Sequence, residues 1–99
     1  MRMVLKARIP TDAGNEAIKD GKLQKVIQSA MAELKPEAAY FTVDDGDRSA
    51  FFYFDMRDAS QMPVLLESFF MELNAKISLQ PVMNAEDLRA GLADLMSGS

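Results

Sequence analysis

The chain begins with a strict alternation in which Met3, Leu5, Ala7 and Ile9 fall on one side and Arg2, Val4, Lys6 and Arg8 on the other. Period two over residues 2 to 9 predicts a half-buried strand. Pro10 ends it, and Thr11-Asp12-Ala13-Gly14-Asn15, rich in turn-forming and helix-capping residues, predicts a loop leading into a helix. Leu23, Val26, Ile27, Ala30, Met31 and Leu34 then recur at the spacing of an amphipathic helix. Asp20-Gly21 is expected to break or kink its start, with Asp20 capping the main segment. Lys35-Pro36 should stop it, because the residue before a proline avoids helical geometry.

Alternation returns over residues 38 to 44, with Ala39, Phe41 and Val43 opposite Ala38, Tyr40 and Thr42. Asp44-Asp45-Gly46-Asp47 follows, and Asp-Gly between two aromatic-rich runs signals a hairpin, since glycine tolerates positive φ. Its second strand is Ser49 to Asp55. Asp58 or Ser60 caps the next helix, which carries Leu65, Leu66, Phe69, Phe70 and Leu73. Pro63 fits only in the first turn, which favours Ser60 as the cap. Ala75, Ile77 and Leu79 alternate with Lys76, Ser78 and Gln80 in a fourth strand ending near Pro81. Asn84-Ala85-Glu86-Asp87 resembles a capping box and opens a last helix through Leu88, Leu92 and Leu95.

The element order β-α-β-β-α-β plus a C-terminal helix predicts an α+β, ferredoxin-like fold, a four-stranded antiparallel sheet with both inner helices on one face. The 99 residues leave room for one domain, 1–99. Alternation assigns Met3, Leu5, Ala7, Ile9, Ala39, Phe41, Val43, Phe52, Phe54, Ile77 and Leu79 to the helix-covered side. The other face, with Val4, Lys6, Arg8, Tyr40, Thr42, Phe51, Tyr53, Asp55, Lys76, Ser78 and Gln80, is polar but rich in aromatics. An uncovered aromatic sheet face marks an interface more often than a purely solvated surface.

This pattern resembles the dimeric α+β barrel superfamily, in which two ferredoxin-like sheets close face to face. The resemblance covers almost the whole chain and lies in element order and face pattern. More narrowly, Ile9-Pro10-Thr11-Asp12-Ala13-Gly14-Asn15 together with Leu34-Lys35-Pro36-Glu37-Ala38-Ala39-Tyr40-Phe41 is similar to a group of small uncharacterised bacterial proteins of this fold. That group lends no activity. The superfamily includes cofactor-independent monooxygenases, haem-degrading enzymes, isomerases and ligand-sensing domains. Tryptophan and histidine, which serve many of the oxygenase and haem-handling members, are absent here, so those residues have no counterpart.

Composition narrows the chemistry. At 48% apolar and 26% charged residues the chain is an ordinary globular sequence. A formal charge of −4 opposes binding to polyanions, so neither nucleic acid nor an anionic membrane is an expected partner. The absence of Cys and His removes thiol nucleophiles, thiolate clusters, the usual haem and metal ligands and the commonest general base. No cofactor is implied and no metal site is expected. Residues 1 to 6 carry no long apolar run, so a cytoplasmic location is the expectation. Arg48-Ser49-Ala50-Phe51-Phe52-Tyr53-Phe54 superficially resembles an RNA-recognition strand. It lacks the glycine after the basic residue and has alanine in place of the first stacking aromatic.

Lys6, Arg8, Tyr40, Thr42, Tyr53 and Asp55 are the candidate ligand-binding residues. They can line a cavity between two subunits, the cations holding a small organic or anionic ligand and tyrosine donating to it. The same residues also suit ordinary cross-strand pairs on a solvated or interface face. Asp44, Asp45 and Asp47 lack the full calcium-loop spacing and suit a plain turn. Asp55, Asp58 and Glu67 as a source of paired carboxylates for acid–base work, and Thr11, Asp12 and Asn15 in a loop at the end of the sheet, compete with solvated charge and helix capping. The expected function is a homodimer binding a small molecule between its sheets. A non-catalytic structural or accessory dimer is the alternative, as is an enzyme resembling a cofactor-independent monooxygenase or isomerase and relying on Tyr, Asp, Lys or Arg. Whether the chain is an enzyme stays open in the sequence.

Overall fold

The structure, a computed structural model, describes residues 1–98. Strand β1 (Arg2–Ile9) is followed by helices α1 (Thr11–Asp20) and α2 (Lys22–Leu34), then by the hairpin β2 (Ala38–Asp44) and β3 (Asp47–Asp55). A 3₁₀ turn (Ala59–Gln61) leads into α3 (Met62–Leu73), then β4 (Lys76–Pro81) and α4 (Ala85–Met96). The result is an α+β fold with one antiparallel sheet in the order β2-β3-β1-β4. Because β3 pairs antiparallel with both β1 and β2, those two strands run parallel with β3 between them. This arrangement is compatible with the ferredoxin-like pattern.

The four strands lie close to their expected bounds, because alternation and breakers act together there. Lys35 takes the left-handed conformation (φ 46°) and its N–H bonds to the Met31 carbonyl, ending α2 one residue before Pro36. The hairpin turns through Asp45 (φ 52°) and Gly46 (φ 82°). The core is formed by the inward side of the sheet and the inward faces of α1, α2 and α3. Leu5, Phe52, Phe54, Phe69 and Leu73 are fully enclosed in it. Phe52 stands at its centre, with the Phe69 ring 6.1 Å away.

Four expectations are corrected. First, Thr11, Asp12 and Asn15 do not form a loop; α1 starts at Thr11, directly after Pro10. Proline ends the strand and also presets the chain for the helix that follows, whose first bond runs from the Gly14 N–H to the Pro10 carbonyl. Gly14 sits inside this helix because Arg48 packs against it. A Cβ there would lie 2.6 Å from Arg48 Nη1, while Nη2 of the same guanidinium donates to Asn15 Oδ1 at 2.9 Å.

Second, Asp58 and not Ser60 caps the segment leading into α3. Its carboxylate accepts the Ser60 N–H at 3.0 Å, and Gln61 Oε1 accepts from the backbone of Arg57 and Asp58. The 3₁₀ turn shifts the start by two residues, so that Pro63 still falls in the first turn of α3.

Third, Phe41 and Val43 are 57% and 71% exposed. They point to the helix side, but β2 is the sheet edge and the helices do not reach over it. Fourth, Val4 lies on the open face yet is only 2% exposed, in register between Tyr53 and Gln80, whose longer side chains flank it. Among the described residues no helix is long and apolar enough to cross a membrane.

Candidate functional site

Register turns the open face into rows across the sheet. Val4 aligns with Tyr53, Ala38 and Gln80; Lys6 with Phe51, Tyr40 and Ser78; Arg8 with Ser49, Thr42 and Lys76. The last two rows border a shallow concavity of about 160 Å³, lined by Lys6, Arg8, Asp44, Phe51, Lys76 and Ser78 among others. Three cations therefore converge where β1 and β4 run side by side. The long stems of Lys6 and Lys76 border an apolar floor and leave their ammonium groups able to turn toward a ligand.

Each cation is held differently. The Lys6 Nζ lies 5.7 Å from the centroid of the Phe51 ring, a cation–π distance that orients the side chain along the face. Arg8 reaches toward the hairpin, with Nη1 3.4 Å from Asp45 and Nε 3.4 Å from Asp47. At that separation the contacts are ionic, and Nε is buried without a hydrogen bond. The hairpin acids thus neutralise part of the Arg8 charge without saturating its donors. Among the described residues, Lys6 and Lys76 have no carboxylate within 4 Å, and no cluster of three acids forms a metal site.

A second, wider groove of about 580 Å³ lies at the opposite end of the same face, between Tyr40, Tyr53, Ala38, Arg2, Glu37 and the Val82–Asn84 segment. Here Arg2 donates to Glu37 and approaches Asp87 of α4 at 4.0 Å. The Glu37 hydrogen bond and charge raise the Arg2 pKa above its ordinary value. Asp55 lies beyond Tyr53 on this side. Its carboxylate accepts from the N-terminal ammonium at 2.6 Å, and that bond, with the charge behind it, holds the carboxyl below its usual pKa.

The six candidate residues therefore fall into separate places. Lys6 and Arg8 share the cationic concavity, whereas Tyr40 and Tyr53 line the wider groove. Thr42 is an exposed edge residue paired with Ser49. Asp55 is six residues from Ser49 along β3, roughly 20 Å at the rise of an extended strand. One small ligand does not span Arg8 and Asp55. Phe51, Lys76, Ser78 and Ser49, on the face by alternation, join the concavity through the Arg8↔Lys76 and Lys6↔Phe51 pairings. Strand pairings across 41 (Arg8↔Ser49) to 72 (Lys6↔Ser78) residues of chain carry no local sequence signal.

Chemically, this surface offers ammonium and guanidinium donors, serine hydroxyls, one aromatic face and, at its rim, the Asp44 carboxylate. That set suits recognition of a small anion with an apolar or aromatic body. The molecule is thus a small α+β domain with an open, cation-bearing antiparallel sheet face. No protein-family model matches the chain, and none of the curated proteins is detectably similar to it.

Proposed function

We propose that the chain works as a homodimer of ferredoxin-like subunits, of the dimeric α+β barrel kind, and binds a small organic anion on its open sheet face. The observation that carries this reading is the convergence of Lys6, Arg8 and Lys76 beside Phe51 in one concavity. Its volume, about 160 Å³, is close to that of cavities that accept a benzene-sized molecule, so a monocyclic carboxylate is of suitable size. The ring would lie against Phe51, and the carboxylate among the cations. A concavity this shallow leaves one side of the ligand in water, and a second sheet laid over it would supply the missing wall. Binding is proposed here and turnover is not, although the lining includes one carboxylate, Asp44.

The test is a calorimetric titration of the purified chain with benzoate, 4-hydroxybenzoate and inorganic phosphate, alongside sedimentation at micromolar concentration. The expected result is a dimer that prefers the aromatic acids to phosphate. Lys6→Ala and Arg8→Ala should each weaken binding by about tenfold, equivalent to ~1.4 kcal/mol. A monomer removes the enclosing wall. A dimer that binds none of the three, with Arg8→Ala changing nothing, supports instead the non-catalytic structural dimer.

A further inference from the structure

An exposed apolar surface lies on α4, away from the cationic concavity. Leu88, Leu92 and Leu95 recur at i, i+4 and i+7, a single stripe, and Met96 extends it. No residue of α4 is buried; Leu95 and Met96 are 68% and 85% exposed. The start of the helix is secured by its capping box, in which the Asp87 N–H donates to Asn84 Oδ1 at 2.8 Å and Asp87 Oδ2 accepts the Asn84 N–H at 3.0 Å. A cap does not sustain a lone helix of this length: below about 12 to 15 residues isolated helices are marginal in water and need a packed face. The 15.9 Å radius of gyration also exceeds the ~13 Å of a compact domain of this size, with a longest extent of 56 Å.

At the root of α4 lies the wider groove, bordered by Tyr40, Tyr53, Val82 and Met83. We propose that two copies of the chain exchange α4, the Leu88-Leu92-Leu95 stripe of each entering the groove of the other. Area supports a second copy as the occupant. On ordinary residue surface areas, the exposed fractions of Tyr40, Met83, Leu88, Leu92, Leu95 and Met96 amount to roughly 700 Å², close to the ~800 Å² each partner contributes to a stable interface. Stripe and groove also belong to the same chain and adjoin one another. A two-fold axis therefore satisfies both at once and closes the assembly. This rests on the homodimer reading above but not on its ligand, since the groove and the cationic concavity occupy opposite ends of the face.

The chain contains no cysteine, so introduced thiols report cleanly. In the full chain carrying both Tyr40→Cys and Leu92→Cys, mild oxidation should give a reducible covalent dimer on a non-reducing gel. Leu88→Glu with Leu92→Glu should raise the dimer dissociation constant by about a hundredfold or more. Both leucines are exposed and lie outside the core, so the strand signal in circular dichroism should persist. A disulfide closed within one chain, or a double-glutamate variant that dimerises as tightly as the parent, overturns the exchange while leaving a sheet-to-sheet dimer intact. A monomeric parent chain overturns both proposals together.

Discussion

Truncation of Phe52 and of Phe41, two rings in edge-to-face contact on one side of the sheet, should have sharply different costs. Their centroids are 5.9 Å apart with planes at 84°, yet Phe52 is fully buried and Phe41 is 57% exposed. Removing a fully enclosed phenylalanine ring costs about 3 to 5 kcal/mol, the sum of lost transfer energy and the cavity left behind. A domain of this size holds roughly 5 to 15 kcal/mol in total, so Phe52→Ala consumes a large part of it. At about 4 to 8 °C per kcal/mol the midpoint should fall by roughly 12 to 40 °C. Phe41 buries less than half its surface, some 80 to 90 Å² at most, and at about 25 cal/mol per Å² its truncation costs roughly 1 to 2 kcal/mol. Urea unfolding followed by far-ultraviolet circular dichroism measures both, at one fixed protein concentration because dimer stability depends on it. If Phe41→Ala costs as much as Phe52→Ala, the helix side of β2 is covered and the exposed-edge argument is wrong.

Two further outcomes follow from the caps. The Asp58 carboxyl is held below its ordinary pKa mainly by the Ser60 backbone N–H, so its contribution to stability is complete above the unfolded value of 3.8 and is lost as pH falls through the lower folded value. Asp58→Asn keeps an acceptor but does not titrate, and should flatten the acid limb of a stability-against-pH curve; an unchanged limb refutes the assignment. Asn84→Ala should lower the helical signal of the full chain and loosen α4, at a cost near 1 kcal/mol. Amide exchange over residues 85–96 checks it, since a lost cap accelerates exchange there and leaves β1 and β3 unaffected.

The strands were legible because alternation set their length and a breaker bounded each of them: Pro10 ended β1, Asp45-Gly46 separated β2 from β3, and Pro81 ended β4. Asn84 and Asp87 showed the start of α4 in the same way. Thr11 to Asn15 misled because turn-forming composition and the first turn of a helix look alike; the guest that makes Gly14 useful, Arg48, is 34 positions away. Alternation placed Phe41 and Val43 on the correct side of the sheet. It has no means of showing that the helix layer stops short of the β2 edge. For the candidate site, alternation supplied the face and its cations, whereas the division into a cationic concavity and an aromatic groove depends on cross-strand register. Lys76 opposite Arg8 is the plainest case.

The position of β1 bears on how the chain is made. It lies inside the sheet, hydrogen-bonded on both edges, but its partners are late in the sequence: Arg2 meets Asp55, and Met3 meets Pro81. At about 5 to 20 residues per second, the ribosome takes roughly 3 to 10 s to deliver β3 after β1 and up to ~16 s to deliver β4. For that interval Met3-Val4-Leu5, all buried in the finished fold, have no strand to pair with. The β2–β3 hairpin can close locally as soon as it emerges. A central strand of the sheet is thus synthesised before either of its partners and is among the last to be secured.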